Sequence, residues 1–322
     1  MTAALDWISN FLYAAILAGV PLLFGTLGEI LTEKAGNINL GVEGMMYMGA
    51  VFGFMGAYYL DSAIATLLFA FLGGLGGALV YAFLTVTLKA NQNVAGLTLT
   101  IFGTGLANLL GTNMINGSGS GAAMVSDAMK AFFRPMDMGA LTAIPYLGKL
   151  LFNHSLFTYL GIVLAIAAGW YLNHTAQGLN LRAVGENPAA ADAAGVNVSA
   201  YKYVHILLGG GICGLGGAYI ALATCGGNWT YNCVGGLGWI AVALVIFAAW
   251  SPYKALLGSL VFGALSVLKI YIPTSVINIP SAFFSMLPFL VTCVILVISS
   301  IRMRRENQQP HACGVNYFRE ER

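Results

Sequence analysis

Few residues of this chain could take part in chemistry, and most of those are uncharged amides. Asn37, Asn39 and Glu43 lie together near the start of an apolar stretch, and Asn108 lies in the middle of another. An unpaired polar group inside an apolar helix costs about 2 kcal/mol or more. These four side chains are therefore candidates for lining a path for a polar molecule. A structural account also exists, because Asn39 can cap the following helix and Glu43 can occupy its first turn.

Several catalytic and nucleotide-binding patterns are absent from the sequence. It contains no GxxxxGK[ST] phosphate-binding loop, no HExxH motif and no GxSxG motif. The four histidines do not cluster and the five cysteines show no CxxC spacing, so we predict neither a catalytic residue nor a metal site. A buried relay for an ion-coupled carrier would have to use Glu29, Glu43 or Lys269, and each lies near the end of an apolar run. The chain is predicted to have no enzymatic site and no cofactor of its own.

The composition places these residues in a membrane. Of 322 residues, 58% are hydrophobic and only 8% are charged, whereas soluble domains carry about 25% charged residues. The net charge of +2, without a basic stripe, argues against a nucleic-acid partner. We therefore predict an all-α fold, a polytopic helical bundle in a lipid bilayer.

Apolar runs of about the 20 residues that a transmembrane helix needs occur along the whole chain. They cover residues 9–31, 40–59, 63–88, 94–115, 155–173, 202–224, 236–250, 255–272 and 282–301. The runs at 40–59 and 236–250 could be broken or re-entrant. The sequence thus predicts about eight to ten transmembrane helices in one domain over residues 1–301.

Lys and Arg are distributed unevenly between the two sides of this predicted bundle. The side that carries the C-terminus has Lys34, Lys89, Arg182, Lys202, Lys254, Arg302, Arg304, Arg305, Arg319 and Arg322. The opposite side keeps Lys130, Arg134 and Lys149, so the C-terminus is predicted to be cytoplasmic. This assigns 116–154 as an outer segment with an amphipathic piece at 144–152, and 174–201 as a cytoplasmic segment. The tail 302–322 is predicted to be a disordered cytoplasmic end.

The cytoplasmic segment contains a well-specified short helix. Asn187 is a favourable N-cap, Pro188 fits the first helical position, and Gly195 fits the stop. A helix of about two turns is barely stable alone. We therefore expect it to pack against a cytosolic partner subunit.

A five-residue sequence occurs twice, at 74–78 and 214–218, among pairs of small residues spaced four apart. An internal repeat of the kind found in transporters and a coincidence in a chain rich in Gly and Ala both explain it. Either way, both copies are predicted to make close helix–helix contacts. The separated cysteines Cys225 and Cys233 could form a disulfide or remain as two small, weakly polar residues.

Three stretches resemble one transporter family. Residues 182–196 are similar to the RAVGENP-type cytoplasmic loop of ABC importer permeases of the branched-chain amino acid, simple-sugar and nucleoside group. Residues 33–46 resemble the opening signature of the nucleoside branch, and 236–244 resemble a late Gly-aromatic-Ile-Ala run, although Trp239 stands where the family mostly shows Phe. The closest resemblance is to the shorter nucleoside-type permease.

The resemblance implies a set of roles and partners. The capped helix would be a coupling helix seated on an ABC ATPase subunit, which would bind ATP and Mg. The coupling residues would be Arg182, Gly185, Glu186, Asn187, Pro188, Ala190 and Gly195. A second, longer permease would complete a heterodimer, and a substrate-binding protein or lipoprotein would dock on the outer segment. The setting implied is the inner membrane of a prokaryote.

The resemblance implies nucleoside uptake by alternating access. A simple-sugar or autoinducer-type permease is the first alternative, and an ATP-independent channel or secondary carrier is an alternative of another class. The apolar interior offers amides, hydroxyls and aromatic rings with hardly any charge, which suits a neutral, polar, ring-containing substrate.

Overall fold

The computed structural model describes residues 2–119, 121–136, 139–142, 144–272, 280–302 and 308–319. Within these ranges the β-type pairing is limited to one isolated antiparallel bridge between Met124 and Asn228. The predicted all-α fold is confirmed.

Thirteen α-helices follow one another along the described chain. They are α1 (Thr2–Lys34), α2 (Val42–Leu60), α3 (Ala63–Ala82), α4 (Gln92–Gly117), α5 (Asp127–Phe133), α6 (Leu147–Phe152), α7 (Leu156–His174), α8 (Ala176–Glu186), α9 (Pro188–Ala193), α10 (Val198–Tyr219), α11 (Leu237–Phe247), α12 (Pro252–Tyr271) and α13 (Ser281–Arg302). Two of them, α3 and α10, continue into five-residue π-helical turns at Phe83–Thr87 and Ile220–Thr224.

Each of the nine predicted apolar runs coincides with a helix. Six described helical segments are long and apolar enough to cross a membrane: Leu5–Lys34, Ala63–Thr87, Gln92–Gly117, Leu156–His174, Val198–Thr224 and Pro252–Tyr271. Of the two runs singled out as uncertain, the run at 236–250 is short, since α11 has only 11 residues. The run at 40–59 instead forms one unbroken helix, α2, of 19 residues. The last run lies in α13, whose described apolar part is Met286–Ile295.

Helices α1, α2, α3 and α10 pack closely because glycine faces glycine between them. A Cβ added to Gly49 would lie 2.1 Å from the Gly214 Cα, and one added to Gly74 would lie 2.1 Å from the Gly210 carbonyl oxygen. The two copies of the repeated sequence therefore pack against each other, α3 on α10. The predicted close helix–helix contact is confirmed, and it allows the backbones to approach in an apolar medium.

The helix ends divide the bundle into an α9 end and an opposite end. At the α9 end, Ile38 of the α1–α2 connection joins α3 to α4, since its carbonyl accepts from the Tyr81 hydroxyl and its N–H donates to Gln92 Oε1 at 2.8 Å. The opposite end holds the described residues of the 116–154 segment, in which the predicted amphipathic piece forms α6. There Lys149 Nζ donates to Asn10 Oδ1 of α1 at 2.7 Å. The backbone of 123–125 also pairs with that of 227–229, through Val125 N–H to Gly227 O and Trp229 N–H to Ala123 O, both at 3.0 Å.

The predicted disorder of the tail is wrong for residues 308–319. This stretch lies on the α9 end, and Ala312, with 8% of its surface exposed, donates its N–H to the Gly185 carbonyl at 2.9 Å. The prediction failed because the tail is stabilised by partners far away in the sequence rather than by a pattern of its own. Cys225 and Cys233 are both free thiols.

Candidate functional site

The α8–α9 segment shows the predicted cap and stop. Asn187 Oδ1 accepts a hydrogen bond from the Ala190 N–H at 3.0 Å, and Pro188 occupies the first turn of α9. Gly195 has φ +87°, a left-handed conformation that favours glycine. The helix after Asn187 has six residues, slightly less than the predicted two turns, and α8 leads directly into it. The role of this segment in contacting an ATPase stays a prediction.

Gly185, one of the predicted coupling residues, lies against the end of α1. It lies inside α8, where an added Cβ would be 2.3 Å from the Lys34 carbonyl oxygen at the end of α1. A larger residue would push α8 away from α1. Gly185 therefore permits a close approach of two helices rather than a change of chain direction.

α9 turns one apolar side inward and leaves a surface of small residues outside. Ala191 is buried against Val184 and Val198. Ala190 and Glu186 are exposed, so their side chains are accessible to a partner. The remaining predicted coupling residue, Arg182, lines a cavity of about 440 Å³ beside Lys34 and Glu186.

Glu43 lies in the first turn of α2, as predicted, but its carboxylate binds another helix. It accepts the Gly236 N–H on Oε1 at 2.8 Å and the Gly238 N–H on Oε2 at 2.6 Å. These groups belong to the N-terminus of α11, where free N–H groups and the helix dipole favour an anion. Gly238 is required by the contact, since a Cβ there would lie 2.5 Å from the Glu43 Cα.

Asn39 does not cap α2, and that prediction is wrong. The N-cap position is Gly41, whose N–H is bound by Asn39 Oδ1 at 2.9 Å, while the Asn39 N–H donates to Glu29 Oε1 at 3.0 Å. Asn37 donates from Nδ2 to Thr85 Oγ1 at 3.5 Å. Asn37 and Asn39 are each 1% exposed. Both side chains thus fix the α1–α2 connection in this conformation.

The chain at the start of α11 contacts both Asn108 of α4 and Glu43 of α2. Asn108 Nδ2 lies 3.4 Å from Asn232 Oδ1, and the Tyr47 hydroxyl accepts the Gly235 N–H at 3.2 Å. Further along α4, Thr112 Oγ1 is 3.1 Å from the Tyr231 hydroxyl. We call Glu43, Tyr47, Asn108 and Thr112, with residues 231–238, the polar track. It is uncharged apart from Glu43 and runs between α2, α4 and α11.

Two acids one turn apart on α1, Glu29 and Glu33, are buried, which the sequence did not lead us to predict. From the sequence, only Glu29 was considered as a buried acid, and it was expected near the end of a span. In the structure the Glu29 and Glu33 residues are 0% and 4% exposed. The Trp250 indole N–H donates to Glu33 Oε2, which holds the end of α11 on α1. The signal was available, because acids spaced by four share one face of a helix.

The sequence is similar to those of membrane transport proteins. Residues 11–296 match the family model described as branched-chain amino acid transport system / permease component. The nucleoside ABC transporter permease protein NupC of Lactococcus lactis is 36% identical over 315 residues, covering 94% of this chain and 95% of that protein. The guanosine ABC transporter permease protein NupQ of Bacillus subtilis is 31% identical over 325 residues, covering 98% of each.

A permease named for glucose has a sequence identity to this chain in the same range as the two nucleoside permeases. The putative glucose ABC transporter permease protein TsgC13 of Haloferax volcanii is 35% identical over 271 residues, covering 83% of this chain and 78% of that protein. The level of identity alone therefore does not separate a nucleoside permease from a sugar permease.

Proposed function

Because the chain belongs to the family of branched-chain amino acid transport system permease components, we propose that it is the membrane subunit of an ABC importer for nucleosides. The observation that carries the substrate class is similarity over almost the whole chain to two permeases named for nucleosides or guanosine. The polar track is consistent with it, since amides, hydroxyls and a tyrosine ring can bind a neutral, polar, ring-containing molecule. Import of a simple sugar is the second candidate, favoured by the resemblance to TsgC13.

Uptake assays separate these two substrates. In cells that carry the complete transporter, we expect unlabelled adenosine, guanosine or uridine to compete with a labelled nucleoside, and glucose to have no effect. A strain lacking this chain provides the background rate. Competition by glucose, with no effect of nucleosides, would assign the chain to the sugar branch.

The proposed cycle uses the two ends of the bundle for different partners. An ATPase subunit, which binds ATP and Mg, contacts α9 on the cytoplasmic side, and this chain contributes no catalytic residue. A substrate-binding protein or lipoprotein docks on the opposite, outer end, and a second, longer permease completes a heterodimer. The setting is the inner membrane of a prokaryote, with the C-terminus in the cytoplasm because cations concentrate on that side.

Two changes on α9 test the coupling role. Asn187→Ala removes the cap and should lower local helix stability by about 1 kcal/mol, a large part of what six residues possess. Ala190→Trp places a large ring on the exposed surface and should weaken binding of the ATPase. We expect near-normal abundance in the membrane, with reduced uptake for both variants and reduced ATPase co-purification for Ala190→Trp.

The matched control is Asn197→Ala, which removes a cap of the same geometry from α10. Asn197 Oδ1 accepts the Ala200 N–H at 3.0 Å, but α10 has 22 residues and does not depend on its first turn. We expect its uptake to stay close to that of the unmodified protein. Normal uptake and normal ATPase co-purification in both α9 variants would leave α9 as a simple connector.

A further inference from the structure

The C-terminal segment 308–319 makes contact with three separate parts of the α9 end. On the α1 and α8 side, the Ala312 N–H donates to the Gly185 carbonyl at 2.9 Å. The Cys313 thiol lies 3.8 Å from the Glu33 carbonyl oxygen. The thiol is largely enclosed, and burial raises the pKa of Cys313 well above that of a free cysteine. This part of the tail is therefore packed against the end of α1.

A second set of contacts joins the tail to the connection between α3 and α4. Asn316 Nδ2 donates to the Lys89 and Ala90 carbonyls at 2.6 and 3.2 Å, and Asn316 Oδ1 accepts from Gln92 Nε2 at 3.2 Å. Lys89 Nζ also lies 4.0 Å from the centre of the Phe318 ring. One amide thus satisfies two backbone carbonyls and one side chain of this connection.

A third set of contacts joins the tail to α9 itself. The Tyr317 hydroxyl donates to Asp192 Oδ2 at 2.8 Å, and Arg319 Nε lies 3.3 Å from the same oxygen. The Tyr317 ring packs on the small apolar cluster of Val184, Ala191 and Val198. Adjacent residues of the tail therefore bind α9 on one side and the α3–α4 connection on the other.

We infer that the segment 308–319 links α9 to the α9-end termini of α1, α3 and α4, and that Asn316 and Tyr317 are positioning residues of the transport cycle. This inference rests on the proposed role of α9 as the element that the ATPase moves. A six-residue helix has little rigidity of its own, so its displacement reaches the membrane helices through what it is bonded to. The tail supplies hydrogen bonds of that kind on both sides.

If motion passes from α9 through the tail to the α3–α4 connection, breaking either contact should lower the rate of uptake. Tyr317→Phe combined with Arg319→Ala keeps the ring in its apolar cluster and removes both tail contacts to Asp192. Asn316→Ala removes the hydrogen bonds to the α3–α4 connection. Each should lower uptake per assembled complex about tenfold or more, because the first variant loses a hydrogen bond to a charged group and Asn316→Ala loses three hydrogen bonds. All three substitutions together should lower uptake no more than the worse of these two variants, because a chain of contacts that is broken once is already broken. ATP hydrolysis per complex should remain close to normal.

The control is Val315→Ala in the same segment, since Val315 is 62% exposed; its uptake should be unchanged. A purely structural role would instead lower the amount of assembled complex, with uptake and ATP hydrolysis falling in proportion, and that result would overturn the inference. Normal uptake in both variants, or losses that multiply when the three substitutions are combined, would also overturn it. The α9 variants distinguish the proposed coupling role of α9 from the inferred role of the tail. If Asn187→Ala and Ala190→Trp impair transport while the tail variants do not, the coupling role of α9 is supported and the role of the tail is wrong.

Discussion

Replacing Gly74 by valine should abolish the native packing of α3 on α10 and greatly lower the amount of folded protein in the membrane. A Cβ at this position would lie 2.1 Å from the Gly210 carbonyl oxygen and 2.8 Å from the Gly214 Cα. Both neighbours are backbone atoms, so no side-chain rotation can relieve the overlap. Overpacking of this kind costs about 3 kcal/mol, and we expect a lower midpoint of thermal unfolding for the purified complex and much reduced abundance.

Gly76 in the same helix provides the matched control. It belongs to the same repeated sequence, but the nearest atom to an added Cβ is the flexible end of Met48, 3.9 Å away. Gly76→Val changes the helix propensity by the same amount as Gly74→Val without the overlap. We expect near-normal abundance and unfolding midpoint for Gly76→Val. Equal losses in the two variants would mean that glycine acts here through the helix rather than through the contact.

The sequence predicted those features that depend on neighbours along the chain. The long apolar helices follow from runs such as 9–31 and 63–88, and the α9 cap follows from Asn187 followed by Pro188. Each rests on interactions within a few residues, which composition and spacing encode directly. The repeated small residues at 74–78 and 214–218 also predicted close packing, although not that the two copies would face each other.

The missed features depend on partners far apart in sequence. Glu43 is 193 residues from Gly236, to which it is bonded, and Asn316 is 227 residues from Lys89. Nothing in the local pattern around Glu43 distinguishes a carboxylate that binds its own helix from one that binds another. For the same reason the ordered tail was predicted as a disordered end, since Tyr317 and Asp192 form a pair only after the bundle has folded.

Replacing Glu43 by alanine should have the second large effect, on both stability and transport. Its two oxygens bind the Gly236 and Gly238 N–H groups, and without them these donors are left unpaired inside the bundle. Hydrogen bonds to a charged group contribute about 1.5–3 kcal/mol each, so the loss should be about 3 kcal/mol or more. Because these bonds hold residues 236–238 of the polar track in position, uptake should fall to background.

Two further variants should cause smaller losses of stability and uptake than Glu43→Ala. Glu43→Gln keeps one acceptor oxygen and should lie between alanine and the unmodified protein. One turn further along α2, Tyr47→Phe removes a single neutral hydrogen bond to the Gly235 N–H, worth about 1 kcal/mol. The measurements are the unfolding midpoint of the purified complex and the rate of labelled substrate uptake. If Glu43→Ala were no more damaging than Tyr47→Phe, the N-terminus of α11 would be held by its apolar packing, and the carboxylate would be free to act on the substrate itself.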